Sequence, residues 1–377
     1  MEGVEVRSAE GDGKESSMKN KIVQEDLQYI HDNYDFHDFF TGSTILITGC
    51  AGFLGYYFMQ YFVRYAKELG IKKIITLDNF KLFRAQWLEN LAKESGIIDL
   101  HTFDIISGDI NFIKDAEKAD IIIHMASIAS PTFYRKYPIE TLDANVWGLR
   151  NLLNYYRERT LKGFLFFSSS EIYGDPFPEF IPTGEEYLGN VATIGPRACY
   201  DEAKRFGETL CYLYADHYNL PISIVRPFNN YGPGLRLDDK RLPADFAKAV
   251  FENKDINIFS DGTPTRTFCY ISDAILGYLK TLAHNKFDYF NIGMDIPEIS
   301  IREIAEVYVE TARVLFGYTG NIKFKKPDDK EYLINNPHRR CPKINKARNI
   351  LNYNPTILPQ EGVKRFLKFI KINQGVL

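Results

Sequence analysis

The sequence predicts an α/β fold: a doubly wound parallel sheet with helices on both faces and a smaller C-terminal substrate-binding lobe. Three observations carry this. Short, mostly apolar runs recur along the chain: "TILIT" (44–48), "KIITL" (73–77), "DLHTF" (99–103), "IIIHM" (121–125), "FLFFS" (164–168), "ISIVR" (222–226) and "DYFNI" (288–292). Helical patterns separate most of them, notably 53–69, 139–157 and 199–218. Apolar strands that alternate with helices indicate a parallel sheet covered on both faces. Beyond Pro227 the loops lengthen and Pro and Gly become more frequent, as expected of a lobe over the carboxyl ends of the strands, where such sheets bind ligands.

Taken in order, residues 1–18 are rich in Gly, Ser and Glu and are expected to be a disordered tail. Residues 20–40 carry a helix-like pattern, expected to pack on the main domain. The extension thus covers 1–42, the main domain 43–226, and the lobe most of 227–377, with about 261–293 returning to the main domain. In the helix after the first strand, Leu54, Phe58, Tyr61, Phe62 and Tyr65 fall on one stripe.

Composition narrows the classes. The 46 basic and 49 acidic residues leave a net charge of -3, which argues against a nucleic-acid binder. Five scattered cysteines with no CxxC suggest a reducing, cytoplasmic setting. The seven histidines show no ligand spacing, so no metal site is expected. No apolar run reaches membrane-span length, and the acidic N-terminus does not read as a secretory signal.

"TILITGCAGFLGYYF" reads as a strand, then Gly49, Gly52 and Gly55, then a helix opening at Phe53 and Leu54. Glycines permit a tight turn and close approach of backbone to a pyrophosphate, and the helix N-terminus offers free N–H groups. The GxxGxxG spacing differs from the commonest dinucleotide fingerprint and is weak by itself. Asp78 ends the second strand, where a carboxylate can accept from the adenine ribose hydroxyls and would repel a 2′-phosphate, favouring NAD. Asn79 beside it, Asp104 after the third strand and Ala126 after the fourth are further expected cofactor contacts.

The fifth strand runs into "SSSEIYG", which puts Ser169 and Glu171 on the ligand side of the sheet. The following helix carries Tyr200 and Lys204, four apart and on one face. A lysine beside the phenol is expected to lower its pKa from about 10. Such a tyrosine can take a proton from a sugar hydroxyl while hydride leaves for a nicotinamide. The bare spacing is common by chance; the glycine loop, Asp78 and the serine give it meaning.

In that order these motifs resemble the extended short-chain dehydrogenase/reductase superfamily, a Rossmann-type fold. "HMASIASPTFYRKYPIETLDANVWG", "GNVATIGPRACYDEAKRFGETL", "RPFNNYGPGLRLDDKR", "DGTPTRTFCYISD" and "HRRCPKINKA" resemble the UDP-glucuronate decarboxylase family over roughly 43–370. The resemblance implies NAD as cofactor and a UDP-linked sugar as substrate. It implies Ser169, Tyr200 and Lys204 as catalytic, Glu171 near C5 of the sugar, and Arg340 as the arginine of decarboxylation. It places Asn229, Arg236, Arg241, Arg266 and Tyr270 in motifs that grip the nucleotide and diphosphate. It also implies a homodimer, with Leu210, Leu213 and Tyr214 facing a second subunit. Two stretches depart from the family pattern: "FKLFRAQW" after Asn79, and Gly234 to Leu237, where the positive charge has moved by two residues to Arg236.

The implied reaction is oxidation at C4, loss of the C6 carboxylate from the β-keto acid, and re-reduction at C4 to UDP-xylose. A nucleotide-sugar 4,6-dehydratase, which shares Ser-x-Glu, or a 4-epimerase stays open, as does a non-catalytic dinucleotide sensor or scaffold.

Overall fold

The computed structural model describes residues 20–327, 331, 334 and 336–373. The expected tail, 1–18, lies outside them. All seven strand candidates join one sheet: β1 (Thr44–Thr48), β2 (Lys73–Asp78), β3 (Ile98–Thr102), β4 (Ile121–His124), β5 (Gly163–Phe167), β6 (Ile222–Pro227) and β7 (Asp288–Ile292). Their order is β7-β6-β5-β4-β1-β2-β3, and every neighbouring pair is parallel. Strands β1, β4 and β5 are buried along their whole length, which is why they read as continuous apolar runs. Strand β3 is the edge and only half-buried, which accounts for its polar sequence.

The chain winds outward from β1 to β3 and then crosses back to lay β4 on the other side of β1. That reversal opens a crevice between the carboxyl ends of β1 and β4. The helix Phe53–Tyr65 covers β1 and stops short of the expected residue 69, with a turn leading to Gly70 at φ +66°. The pattern over 139–157 is not one regular helix. Pro138–Asp143 leads through a π turn, Ala144–Gly148, into Leu149–Tyr156. At the turn, the Asn145 amide donates to Ser127 Oγ at 3.0 Å and to the Thr141 carbonyl at 2.7 Å, tying the bulge to the crevice.

The extension folds onto the domain as a helix, Lys21–Asp32, capped by Asn20. It packs on the helix Ile271–Ala283, almost all of which is buried. Asp26 is fully buried at this junction and accepts from Tyr57 Oη at 2.6 Å, Tyr270 Oη at 2.7 Å and Arg365 Nη1 at 2.7 Å. Beyond Pro227 the chain builds short strands and helices, including Ile301–Phe316, which packs on Pro359–Ile372. It re-enters the sheet through β7. No helix among the described residues is long and apolar enough to cross a membrane.

Candidate active site

The glycine loop is a cradle. Gly49 sits at φ +71°, and a Cβ there would come 2.7 Å from Ala126 Cα. A Cβ on Gly55 would come 2.1 Å from the Cys50 carbonyl oxygen. The turns after β1 and β4 are thus pressed together, and only glycine leaves the backbone open. No side chain caps the helix Phe53–Tyr65, so its positive dipole end faces the crevice. Asp78 accepts from Ala51 N at 3.0 Å and Phe80 N at 2.9 Å. Each oxygen keeps a lone pair for a ribose hydroxyl, and burial pushes the carboxyl up. Asp104 accepts from Ile106 N at 2.9 Å. Gly49, Gly52, Gly55, Asp78, Asn79, Asp104 and Ala126 line one cavity of about 230 Å³. These residues fit an NAD: an open backbone cradle, a helix N-terminus for pyrophosphate and a strand-end carboxylate for ribose.

A second cavity, of about 330 Å³, shares Phe53, Leu54, Met125, Ser127 and Arg241 with the first. Its walls bring together Ser169, Glu171, Tyr200, Lys204, Asn229, Arg266 and Arg340, which the sequence spreads over more than 170 positions. Ser169 Oγ caps the turn after β5, accepting from Glu171 N at 3.2 Å. Its neighbour Ser168 also lines the cavity, but its hydroxyl donates to Glu208, which pairs with Arg226. Ser168 therefore supports the fold, and Ser169 faces the site.

Contrary to expectation, the Tyr200 phenol is raised and not lowered. Burial pushes the Tyr200 phenol up to about 12, with the Ser169 hydroxyl pulling it down. Lys204 Nζ donates to the Phe167 carbonyl at 2.6 Å and lies 5.7 Å from the Tyr200 ring centre. Burial pushes Lys204 itself down to about 7. Burial thus disfavours the charged form of both groups. Tyr134 stacks on Tyr200, with ring centres 5.2 Å apart, and fixes the phenol plane.

Opposite them lies a charge cluster that sequence reasoning found only in part. Glu171 is gripped on both sides, by Arg340 on one carboxylate oxygen and by Arg197 on the other. Burial pushes the Glu171 carboxyl up, but the two guanidiniums outweigh it and hold it well below the usual carboxylate range. Arg197 also faces Asp201, Nε to Oδ2 at 3.5 Å. Arg266 lies beside Arg340 in the pairing of Thr265–Arg266 with Arg339–Arg340. Burial and Arg340 push Arg266 down to about 9, still charged at neutral pH. The sequence reading passed over Arg197 and Asp201. Their only signal was position, flanking Tyr200 in "GPRACYDEAKR" at the start of a helix.

Two residues expected to hold substrate stand elsewhere. Tyr270 is fully buried, and its hydroxyl is bound to Asp26 under the N-terminal helix, behind the cavity wall. Arg236 lines neither cavity; it pairs with Asp238 and lies flat over the Phe83 ring at 3.7 Å. The two stretches that depart from the family pattern therefore touch each other. Phe83 lines the cofactor cavity, and Arg236 backs it. Arg241 reaches both cavities, paired with Asp239.

The parallel sheet with its switch-point crevice, the glycine cradle and the Tyr–Lys helix define a dinucleotide-dependent enzyme. The chain belongs to the NAD dependent epimerase/dehydratase family, whose profile matches residues 45–293. It is similar to UDP-glucuronic acid decarboxylases: 34% identical over 335 residues to number 6 of Arabidopsis thaliana, covering 88% of this chain and 90% of that protein. It is 33% identical to UDP-glucuronic acid decarboxylase 1 of Xenopus tropicalis, covering 87% of this chain and 72% of the relative. Among solved structures, UDP-glucuronic acid 4-epimerase from Bacillus cereus, in complex with UDP-glucuronic acid and NAD, superposes with a TM-score of 0.72 at 26% identity, covering 87% and 99% of the two chains.

Proposed function

We propose that this chain is an NAD-dependent carboxy-lyase that converts UDP-glucuronate to UDP-xylose and CO2. The observation that carries the reading is the buried guanidinium of Arg340, held by Glu171 in the same cavity as Ser169, Tyr200 and Lys204. A planar guanidinium suits a sugar carboxylate, which it can bind bidentately. The similarity to UDP-glucuronic acid decarboxylases supports the same substrate.

In this reading the positive nicotinamide of NAD would bring the buried Tyr200 phenol down from about 12, and the phenolate takes the C4 hydroxyl proton, with Ser169 holding the same oxygen. NAD, held by the Gly49–Gly55 loop and Asp78, would supply the hydride acceptor and donor for C4. The C4 ketone lies β to the C6 carboxylate, so the electrons of the C5–C6 bond pass into an enolate as CO2 leaves. Ser169 and the protonated Tyr200 hold the enolate oxygen. A proton from solvent reaches C5, with Glu171 beside it. Arg340 orients the carboxylate at right angles to the forming enolate. Asn229, Arg241 and Arg266 take the nucleotide end.

We also infer a homodimer. Phe206 and Leu213, seven apart on the helix Ala198–Tyr218, are about half exposed, as is Trp147 in the π turn, and Ile139 on the helix before it is more so. Leu210, expected in that face, is instead buried in the chain's own core. Five free cysteines favour a reducing, cytoplasmic setting.

The decisive experiment incubates the protein with UDP-glucuronate and NAD and follows CO2 and the product sugar by NMR. UDP-xylose with stoichiometric CO2 is expected, and Tyr200→Phe should lower the rate by about 10²–10⁴-fold. Inversion at C4 with the carboxylate retained would move the chain to the 4-epimerases. Activity on a neutral hexose alone would overturn the reading.

A further inference from the structure

The two arginines that grip Glu171 are not equivalent. Arg197 is fixed on three sides: by Glu171, by Asp201 at 3.5 Å and by the Tyr134 ring, whose centre is 5.9 Å from the guanidinium carbon. It is 6% exposed and stands at the head of the helix that carries Tyr200. Arg340 is equally buried, but its only other partner among the described contacts is the Gly174 carbonyl, at a long 3.3 Å. Releasing Arg340 from Glu171 leaves a carboxylate still paired to Arg197. Releasing Arg197 would also break its contacts with Asp201 and the Tyr134 ring. A buried ion pair is costly to break when one charge is left alone, so the cheaper exchange is at Arg340.

Charge points the same way. Arg197, Arg266 and Arg340 line the cavity with Glu171, and Asp201 lies behind Arg197. Burial, reinforced by Glu171, pushes the Asp201 carboxyl up. The cluster therefore carries positive charge in excess and accommodates one more carboxylate.

We propose that Arg197 is the positioning residue of Glu171: it retains Glu171 when substrate binds, so that Arg340 passes from Glu171 to the sugar's C6 carboxylate. This rests on the decarboxylase reading for the identity of the substrate. The consequence is specific. Without Arg197, Glu171 has Arg340 as its sole partner and competes with the substrate for it. Glu171 also keeps its place beside C5 only while Arg197 holds it.

The test measures binding in the NAD-loaded Tyr200→Phe protein, which does not turn over. Calorimetry compares UDP-glucuronate with UDP-glucose, which lacks the carboxylate. Adding Arg197→Ala should weaken UDP-glucuronate by about tenfold or more and leave UDP-glucose within about twofold, the size expected for loss of a charge-assisted contact. Arg197→Lys should restore part of the affinity. Adding Glu171→Gln to Arg197→Ala should restore most of it, because the competitor for Arg340 is gone. Equal weakening of both ligands, unchanged UDP-glucuronate binding, or a double variant no better than Arg197→Ala would each overturn the proposal. The decarboxylase reading fails separately, if the unaltered protein releases no CO2 from UDP-glucuronate.

Discussion

Glu171 and Arg340, 169 residues apart in the chain, form an ion pair in the wall of the cavity that also holds Tyr200. One comes from the turn after β5, the other from a two-residue strand in the C-terminal lobe. The pair joins the lobe to the sheet where the proposed reading puts the sugar carboxylate.

Arg340→Ala removes the guanidinium proposed to anchor the carboxylate and leaves the glycine cradle untouched. CO2 release from UDP-glucuronate should fall by at least about 100-fold, equivalent to roughly 3 kcal/mol in the barrier. NAD affinity, measured by fluorescence titration, should stay within a few-fold. Unchanged turnover would remove Arg340 from the site.

Gly49→Val places a branched side chain where even a Cβ meets Ala126 backbone at 2.7 Å, at a φ of +71°. The backbone must move, at a cost of about 1–3 kcal/mol from overpacking alone. The expected result is loss of NAD binding at millimolar cofactor together with a lower Tm. A variant that still binds NAD tightly would show that the loop tolerates a wider turn.

Asp26→Leu leaves Tyr57, Tyr270 and Arg365 without their shared acceptor in a buried site. About 3–5 kcal/mol of stability should be lost, because unpaired buried polar groups and charges are costly. Asp26→Asn, which keeps one acceptor oxygen, should lose less. Urea unfolding measures both. NAD affinity at low temperature should be retained, since Asp26 lines neither cavity.

His124 at the end of β4 is fully buried, with Nδ1 2.7 Å from Thr48 Oγ1. Burial, with Lys204 nearby, pushes it down to about 3 from an ordinary 6.5. The unfolded chain therefore takes up a proton first as pH falls. The stability this histidine contributes is fully present above pH 6.5 and is lost progressively from 6.5 toward 3. At about 1.4 kcal/mol per pH unit, His124→Asn should lose about 2 kcal/mol less than the wild type between pH 6.5 and 5. Parallel stability curves for the two proteins would rule this out.

Much of this molecule was legible in order along the chain. The seven strands are short apolar runs because a parallel sheet is buried on both faces, and a run such as "TILIT" shows that burial directly. Gly49, Asp78, Ser169, Tyr200 and Lys204 each stand just past a strand or on the helix after it, so a local reading places them on the ligand side. Arg340 was reached only through family resemblance, since a basic run gives no sign of which arginine turns inward.

Tertiary packing decided the rest. Tyr270 lies in a motif that resembles a substrate grip, yet the N-terminal helix brings Asp26 over it and takes its hydroxyl. Arg236 is drawn to Phe83 and Asp238 by a stacking contact between two distant loops. The phenol of Tyr200 rises because the cavity excludes water, while the lysine four residues on bonds to a strand carbonyl. Arg197 gains its importance from Glu171, 26 residues earlier. By itself the sequence determined the sheet, the dinucleotide cradle and the proton-handling helix, because hydrophobic periodicity and glycine geometry are local. Only the tertiary structure decided which charges meet in the cavity, because burial, desolvation and ion pairing depend on segments that folding brings together.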